Sequence, residues 1–418
     1  MKVLWVSHLV PYPPKAGVLL RSHHLLKELS KYHEVDLIAF NQRGLMEPYF
    51  ESYEQGTSEA KKFLGTICKR INIFDCPTDA SSLRKMICAA TSLISRYPYT
   101  VNWLASQNFQ QALVKMHKEN QYDLIHFDTI GLMPYLTVDM NDAAISLDHH
   151  NVESHMLFRR AGLESNWIKK FYYFQEGFRV KLLEKKYCKL VDTNITCSEL
   201  DSVRFNDFVH SDNFVTVPNG VDINAFKPGD VAPDNNKLLF IGTLDWYPNI
   251  RAVRFLGFNL WKKLKAELPD IVIDIVGARP PQDLVEFGKQ NPDFHVHGFV
   301  NDIDPYFEKA LIYVCPINDG GGTKLKVIDA LASGKAVIAD SIACEGLNVT
   351  EGVNILFAST VDEYIDQIKY LIANPDVRIN IEKNAREHAV NHFSFSAIGN
   401  RLAHHYEWVV ANKAKGEQ

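Results

Sequence analysis

The chain alternates short, almost wholly apolar runs with longer amphipathic stretches, and it does so in two separate series. The first series contains KVLWVSH (2–8), VDLIAF (35–40), DLIHF (123–127), AAISLD (143–148), TNITC (193–197) and NFVTVP (213–218). Runs this short and this continuously apolar suit strands covered on both faces, as in parallel sheets, rather than strands with one face in water. Between the first two runs, Leu19, His23, Leu26 and Ser30 mark one face of a helix at a period of 3.6. Residues 42–118 read as mostly helical, punctuated by Pro77 and Pro98, and 151–190 read as one or two long helices. The turn-rich stretch PNGVDINAFKPGD (218–230), extended by VAPDNN (231–236), then breaks the pattern and marks a domain boundary. A second series follows: KLLFIG (237–242), IVIDIVG (271–277), FHVHGFV (294–300), LIYVCPI (311–317) and KAVIAD (335–340). Helices are expected near 249–268, 281–290, 302–310 and 323–333, with 360–374 and 376–393 closing the series. The fold class is therefore α/β, two doubly wound Rossmann-like domains in tandem. In such sheets ligands bind outside the carboxyl ends of the strands, and two domains of this kind make a cleft.

Composition narrows the function. The 418 residues carry 45 Lys+Arg against 50 Asp+Glu, a net charge of −5, with 46% hydrophobic and 23% charged residues. This is a globular composition with apolar area to bury, and it lacks the basic excess that nucleic-acid binding needs. Seven cysteines at 68, 76, 88, 188, 197, 315 and 344 form no CxxC pair, which argues against a disulfide framework or structural zinc and for reduced thiols. The apolar run in MKVLWVSHLVPYPP is too short for a signal segment and is broken at Pro11. No run of roughly 18 apolar residues occurs to cross a membrane. A cytoplasmic location is the expectation.

The strongest local signal is PINDGGGTKLKVIDALASGK (316–335). A buried strand ends at Ile317, Gly320, Gly321 and Gly322 follow, and a helix is expected from near Thr323. Glycines let backbone amides approach a ligand closely, and a helix N-terminus offers unpaired N–H groups and a positive dipole end. Lys324 and Lys326 add cations in the first turn, where they are mildly unfavourable without an anion. A diphosphate is the natural occupant. Asp329 shares a helix face with Lys326 and Gly322, and a carboxylate there can accept the hydroxyls of a ribose. The GxxxxGK[ST] spacing of a P-loop is absent, and no GxGxxG follows the first strand.

Other strand ends carry weaker signals. Gly242 and Thr243 lead through Trp246 to Asn249, read as a helix N-cap, and offer a second phosphate edge. Gly298, with Phe299 and Val300, ends a strand on the same rim and frames a flat base. Gly17 starts the first helix. In the first series, Asp148, His149, His150 and Glu153 cluster at a strand terminus, polar equipment suited to catalysis. The two adjacent histidines point apart and have no i,i+4 partner, so no metal site is expected there.

Residues 159–190 hold nine Lys/Arg and three Asp/Glu, with Trp167, Phe171, Tyr172, Tyr173, Phe174 and Phe178 interleaved. Two readings fit: a helix lying on anionic lipid, or a core-packed helix with a basic solvated face.

Taken together, VPNGVDINAFKP (217–228), FIGTLDWYPN (240–249), GGGTKLKVIDALASGKAVIAD (320–340), DHHNVES (148–154) and SHLVPYPPKAG (7–17) resemble the family-four retaining glycosyltransferases of the GT-B fold. The likeness is nearest to sugar transferases of bacterial exopolysaccharide and surface-glycan systems, and spans nearly the whole chain. It implies an acceptor-binding domain over 1–225, a nucleotide-sugar domain over 226–395, and a last helix (about 396–413) returning to the first domain. The family's signature is two Glu separated by seven residues. Here the second is Asp329, shorter by one methylene, and the first is Gly321, so the family's contact from that Glu to the donor hexose is missing. Thr243 and Asn249 stand where the family places Arg and Lys around the diphosphate; Lys324 and Lys326 are expected to supply that charge rather than Arg251. His150 aligns with the family's His near the donor sugar. The resemblance thus implies His150 and Lys326 as catalytic groups, and a donor site of Gly17, Gly242, Thr243, Asn249, Gly298, Gly320, Gly321, Gly322, Thr323, Lys324 and Asp329. It also implies retention, no cofactor or metal, a UDP- or GDP-sugar donor, and a glycan or lipid-linked glycan acceptor. Two alternatives stand beside it. One is a degenerate transferase-like partner without activity, for which Gly321 speaks. The other is a sugar-nucleotide epimerase on the same fold.

Overall fold

The computed structural model describes residues 1–14, 17–47, 49–79, 81–229, 233–234, 236–319 and 323–416. The chain divides into two compact units: Met1–Pro218 with Ile398–Gln418, and Asn219–Ala397.

Among the described residues, the first unit holds seven strands: β1 (Lys2–Ser7), β2 (Glu34–Asn41), β3 (Ile71–Asp75), β4 (Leu124–Phe127), β5 (Ala144–His149), β6 (Thr193–Thr196) and β7 (Phe214–Thr216). They pair in the order β3-β2-β1-β4-β5-β6-β7, parallel throughout. The second unit holds β8 (Lys237–Ile241), β9 (Val272–Val276), β10 (Phe294–Gly298), β11 (Ile312–Cys315), β12 (Ala336–Ala339) and β13 (Leu356–Phe357). Their order is β10-β9-β8-β11-β12-β13, again parallel. Both orders reverse direction once, between β1 and β4 and between β8 and β11. These are the topological switch points at which doubly wound sheets leave a crevice.

The apolar runs are buried because helices cover both faces. Val3, Leu4, Trp5 and Val6 of β1 are fully enclosed, as are Val314 and Cys315 of β11. The C-terminal helix Phe395–Gly416 belongs almost wholly to the first unit. Ile398, Leu402, Tyr406 and Val409 enter its core, and the Tyr406 hydroxyl bonds His126 Nδ1 at 2.6 Å and Ser146 Oγ at 3.1 Å.

Three local features refine the sequence reading. Residues 42–118 are mostly helical, as expected, but INIFD within them forms β3, an edge strand whose side chains are half-buried or exposed, so it lacks the continuous apolar signature. Glu199–Val209 is a helix capped by Ser198, in a stretch with no helical expectation. The helix after the glycine run begins at Leu325, not near Thr323, and ends at Ala332.

The basic aromatic segment forms two helices, Glu153–Leu163 and Trp167–Tyr187. The second packs on the core through Val180, Leu183 and Tyr187. Its inward face carries Glu176, Gly177, Val180, Glu184 and Tyr187. Glu176 accepts from the Thr100 amide at 2.9 Å, and Glu184 accepts from the Ser154 amide at 3.2 Å. Trp167, Ile168, Phe171, Phe174, Phe178 and Leu182 lie outward, between 54% and 76% exposed. A normal surface helix turns its apolar stripe to the core; this one carries a second, aromatic stripe outward.

Candidate functional site

In the first unit the switch point gathers side chains around Asp128, the residue that follows β4. Its carboxylate is fully buried. Ser7, the last residue of β1, donates to Oδ2 at 2.7 Å, and Ser22 of the helix Gly17–Leu29 donates to both oxygens at 3.0 and 3.2 Å. His150 Nε2 lies 2.9 Å from Oδ1 and His8 Nδ1 lies 3.6 Å from Oδ2. Burial alone would raise the Asp128 pKa, but the charge and hydrogen bond of His150, with the nearby His8, outweigh it and hold the carboxyl well below its usual range. The converse holds at His150: burial disfavours the charged ring, yet Asp128 wins and the pKa is raised. The imidazole is thereby held in one orientation by an ionised partner, the arrangement that positions a catalytic histidine.

The neighbouring polar residues are structural. Asp148 is locked by Arg21, whose Nε and Nη2 donate to its two oxygens at 3.1 and 3.0 Å, while Arg21 Nη1 ties down the carbonyls of Val217 and Pro218. His149 points away from His150 to Asn194 Oδ1 at 3.0 Å, and burial pushes its pKa down to about 4. Asp128 and His8 escape the sequence reading. Their signal is positional: each is a polar residue directly after a buried strand, one on either side of the order reversal.

In the second unit the loops leaving β8 and β11 meet around Lys326. Its ammonium donates to Asn249 Oδ1 and sits 5.2 Å over the Phe240 ring. A Cβ on Gly242 would lie 2.7 Å from Nζ, so a larger side chain there would push the ammonium aside. Asn249 is not the helix cap expected. It is the third residue of Tyr247–Arg254, buried, with its amide donating to the Thr243 carbonyl at 2.7 Å. That role is set by Lys326, a partner 77 positions away in sequence. Burial pushes the Lys326 pKa down to about 8 and the Asp329 pKa up to about 7, with the lysine pulling the latter back. No hydrogen bond from a described residue reaches the Asp329 carboxylate. Beneath them, the buried Tyr313 hydroxyl donates to the Ile241 carbonyl at 3.2 Å and fills the gap where β8 and β11 part.

Three strand-end glycines knit the same rim. A Cβ at Gly277 would come within 1.8 Å of the Gly242 carbonyl oxygen, and the Gly277 amide donates to the Gly298 carbonyl at 2.9 Å. Gly298 ends β10 with φ of +68°, the left-handed region that favours glycine. Arg251 is engaged by Asp319 at 3.0 Å. Thr323 and Lys324 precede the Leu325–Ala332 helix, Gly17 opens the first helix of the chain, and Gly320, Gly321 and Gly322 lie outside the described residues. The structure therefore brings together Gly242, Thr243, Asn249, Lys326 and Asp329, with Gly298 farther along the rim and the previously unsuspected Gly277 between. His150 belongs to the separate Asp128 cluster of the first unit.

Residues 235–374, which contain this rim, match the family described as glycosyl transferases group 1. This segment is a glycosyl transferases group 1 domain. The chain as a whole has the GT-B fold. It superposes on sucrose-phosphate synthase from Thermosynechococcus elongatus with a TM-score of 0.66 at 16% identity, over 99% of this chain and 100% of that one. It superposes on Anabaena Alr3699/HepE in complex with UDP with a TM-score of 0.63 at 16% identity, over 97% and 100%. A relative described as an uncharacterized 44.6 kDa protein in the cps region of Klebsiella pneumoniae is 24% identical over 409 residues, 94% of this chain and 95% of that protein.

The Asp128–His150 pair generates a direct test. In Asp128→Asn the hydrogen bond and the nearest charge that raise the His150 pKa are lost, leaving only the Asp148 charge against burial and Arg21, so its pKa falls from the wild-type value; imidazole NMR titration reads the shift. An unchanged His150 titration would show that Asp128 does not set its charge.

Proposed function

We propose that this glycosyltransferase moves a sugar from a UDP- or GDP-sugar to a glycan or lipid-linked glycan acceptor, with retention and without a metal, in bacterial polysaccharide biosynthesis. The observation that carries the reading is the half-buried Lys326 ammonium at the β8/β11 switch point, held by Asn249 beside glycine-lined strand ends. On this reading residues 219–397 bind the nucleotide sugar, and 1–218 with 398–418 receive the acceptor. HepE in complex with UDP-glucose and a mutant S. aureus TarM in complex with Fondaparinux, alpha-GlcNAc-glycerol and UDP support a UDP-sugar donor and a carbohydrate acceptor, and the cps-region relative supports the pathway.

The chemistry follows from where charge develops. As the bond from the anomeric carbon to the diphosphate oxygen breaks, negative charge grows on the leaving phosphate. Lys326 and the amides at the start of the Leu325–Ala332 helix bind that charge more strongly in the transition state than in the ground state. Lys324 and Thr323 line the approach to it, Gly242 and Thr243 give a second phosphate edge, and Asp329 accepts the ribose hydroxyls. The acceptor hydroxyl attacks the face that the leaving group departs from, its oxygen bonding the anomeric carbon while its proton passes to a leaving-phosphate oxygen. His150, fixed by Asp128, positions the transferred sugar.

The outward aromatic stripe of the helix Trp167–Tyr187 fits an acceptor met at a surface. Its outward Trp and Phe stripe is flanked by Lys169, Lys170, Lys185 and Lys186, and the neighbouring groove, about 570 Å³, is lined by Phe158, Trp167, Phe171 and Phe174. Aromatic groups with basic neighbours suit the headgroup region of an anionic bilayer. We assign this face to peripheral membrane contact; among the described residues no helix is long and apolar enough to cross a membrane.

Two outcomes are expected. Affinity for the nucleotide sugar is highest between about pH 7 and 8: below it Asp329 gains a proton and loses its acceptor role, and above it Lys326 loses the proton the diphosphate needs. Each limb falls up to about tenfold per pH unit. Asp329→Asn removes the acid limb and Lys326→Met the alkaline one; a flat wild-type profile in calorimetry contradicts the assignment. Separately, vesicles rich in anionic lipid should sediment the protein and neutral ones should not, with Phe171→Ser/Phe174→Ser weakening binding about tenfold. Equal partition to both vesicle types would remove the membrane contact.

A further inference from the structure

The second unit carries a cluster of imidazoles and carboxylate that the transfer chemistry does not use. Asp274 lies in the middle of β9, and its side chain is only 6% exposed. A carboxylate placed there needs partners. They come from β10, the edge strand of the sheet. His295 Nδ1 lies 2.9 Å from Asp274 Oδ1, and His297 Nε2 lies 2.7 Å from the same oxygen. The two histidines sit at i and i+2, so a regular strand puts both on one face. The strand is not regular. Val296 pairs with Ile275 and Gly298 with Val276, which leaves His297 as the extra residue of a bulge. Bulges at sheet edges re-aim a side chain. Here the bulge turns His297 so that its ring converges with His295 on one carboxylate oxygen, the ring centroids 5.8 Å apart.

We infer that Asp274, His295 and His297 form a binding site for a divalent late first-row transition ion, with Zn²⁺ as the reference. Two neutral imidazoles and a carboxylate are donors that Zn²⁺ takes, at about 2.0–2.2 Å in tetrahedral geometry. At those bond lengths ligating atoms stand about 3.3 Å apart. The three ligating atoms already lie within 4.8 Å of one another, and the two nitrogen–oxygen separations need to open by only about half an ångström. Both imidazoles remain reachable from solvent, their side chains 42% and 29% exposed, so an ion can enter and a water can complete the fourth position. Surrounding groups hold the ligands in place, as outer partners of metal sites do. Lys237 Nζ stands 3.7 Å from the other Asp274 oxygen and is itself neutralised by Asp234 at 3.0 Å. The Tyr306 hydroxyl lies 3.4 Å from His297 Nδ1, the ring nitrogen that faces away from Asp274.

The site would clamp the edge strand to β9 one residue before Gly298, and so stiffen that end of the rim. It is separate from Lys326 and takes no part in the reaction, so the inference stands whether or not the transferase reading does.

The test uses full-length, untagged protein stripped with a chelator and titrated calorimetrically with Zn²⁺ and with Mg²⁺. One equivalent of Zn²⁺ should bind at micromolar affinity or tighter and raise the unfolding temperature, while Mg²⁺, which prefers oxygen ligands, should do neither. His295→Gln and His297→Gln keep an amide that can donate to Asp274 but lose the imidazole. Each should weaken Zn²⁺ binding more than about tenfold while leaving the metal-free unfolding temperature near wild type. The proposal is overturned if no Zn²⁺ binds, if the equivalent persists in both variants, or if Mg²⁺ binds as well as Zn²⁺.

Discussion

In both units every strand runs parallel to its neighbours, so each return must cross a face of the sheet and every loop leaving a strand's carboxyl end arrives at one rim. Burial on both faces keeps the strands short and apolar, and leaves the rim as the place where polar side chains can cluster. Where the strand order reverses, the two loops leave in opposite directions and nothing fills the gap except what they carry. In the first unit they carry Ser7, His8 and Asp128. In the second they carry Gly242, Asn249 and Lys326.

The buried charges at these places are handled differently, and the difference separates scaffold from site. Arg21 and Asp148 neutralise each other through two hydrogen bonds, and the remaining arginine nitrogen pins two backbone carbonyls. Removing either partner would strand a buried charge, at a cost of about 3–5 kcal/mol. Asp128 is surrounded by two hydroxyls and two imidazoles, so its charge is fully accommodated and passed on to orient His150. Lys326 and Asp329 are less well served. The ammonium has a neutral amide and an aromatic ring for company, and both groups are shifted toward their uncharged forms. On the proposed function, a diphosphate and a ribose supply what each lacks.

The strand pattern made the architecture legible, because runs such as LIHF and IYVC are buried on both faces and say so in composition. Edge strand β3 was not legible, since an edge with half-exposed side chains gives up that signature. In the second unit Lys326, Asp329, Gly242 and Thr243 were readable from glycine and lysine placement after strands. Asn249 was found for the wrong reason, as a cap, because its partner Lys326 is remote in sequence. Asp128, His8 and Gly277 were missed, for their roles come from neighbours across the sheet: Gly277 must be glycine only because the Gly242 carbonyl approaches it. The helix Trp167–Tyr187 shows the same limit. Composition showed aromatics interleaved with basic residues there, but only packing shows that Glu176 and Glu184 turn inward and the aromatics outward.

The account rests on Lys326 as the diphosphate anchor, and calorimetric titration of wild type and Lys326→Ala with UDP, GDP, ADP and dTDP, each beside its nucleoside, tests it most directly. The account predicts that one diphosphate binds the wild type well and that the substitution costs far more affinity for that diphosphate than for its nucleoside. Equal losses for both, or no binding of any of the four to the wild type, would contradict it, and the latter would turn attention to a non-catalytic partner role.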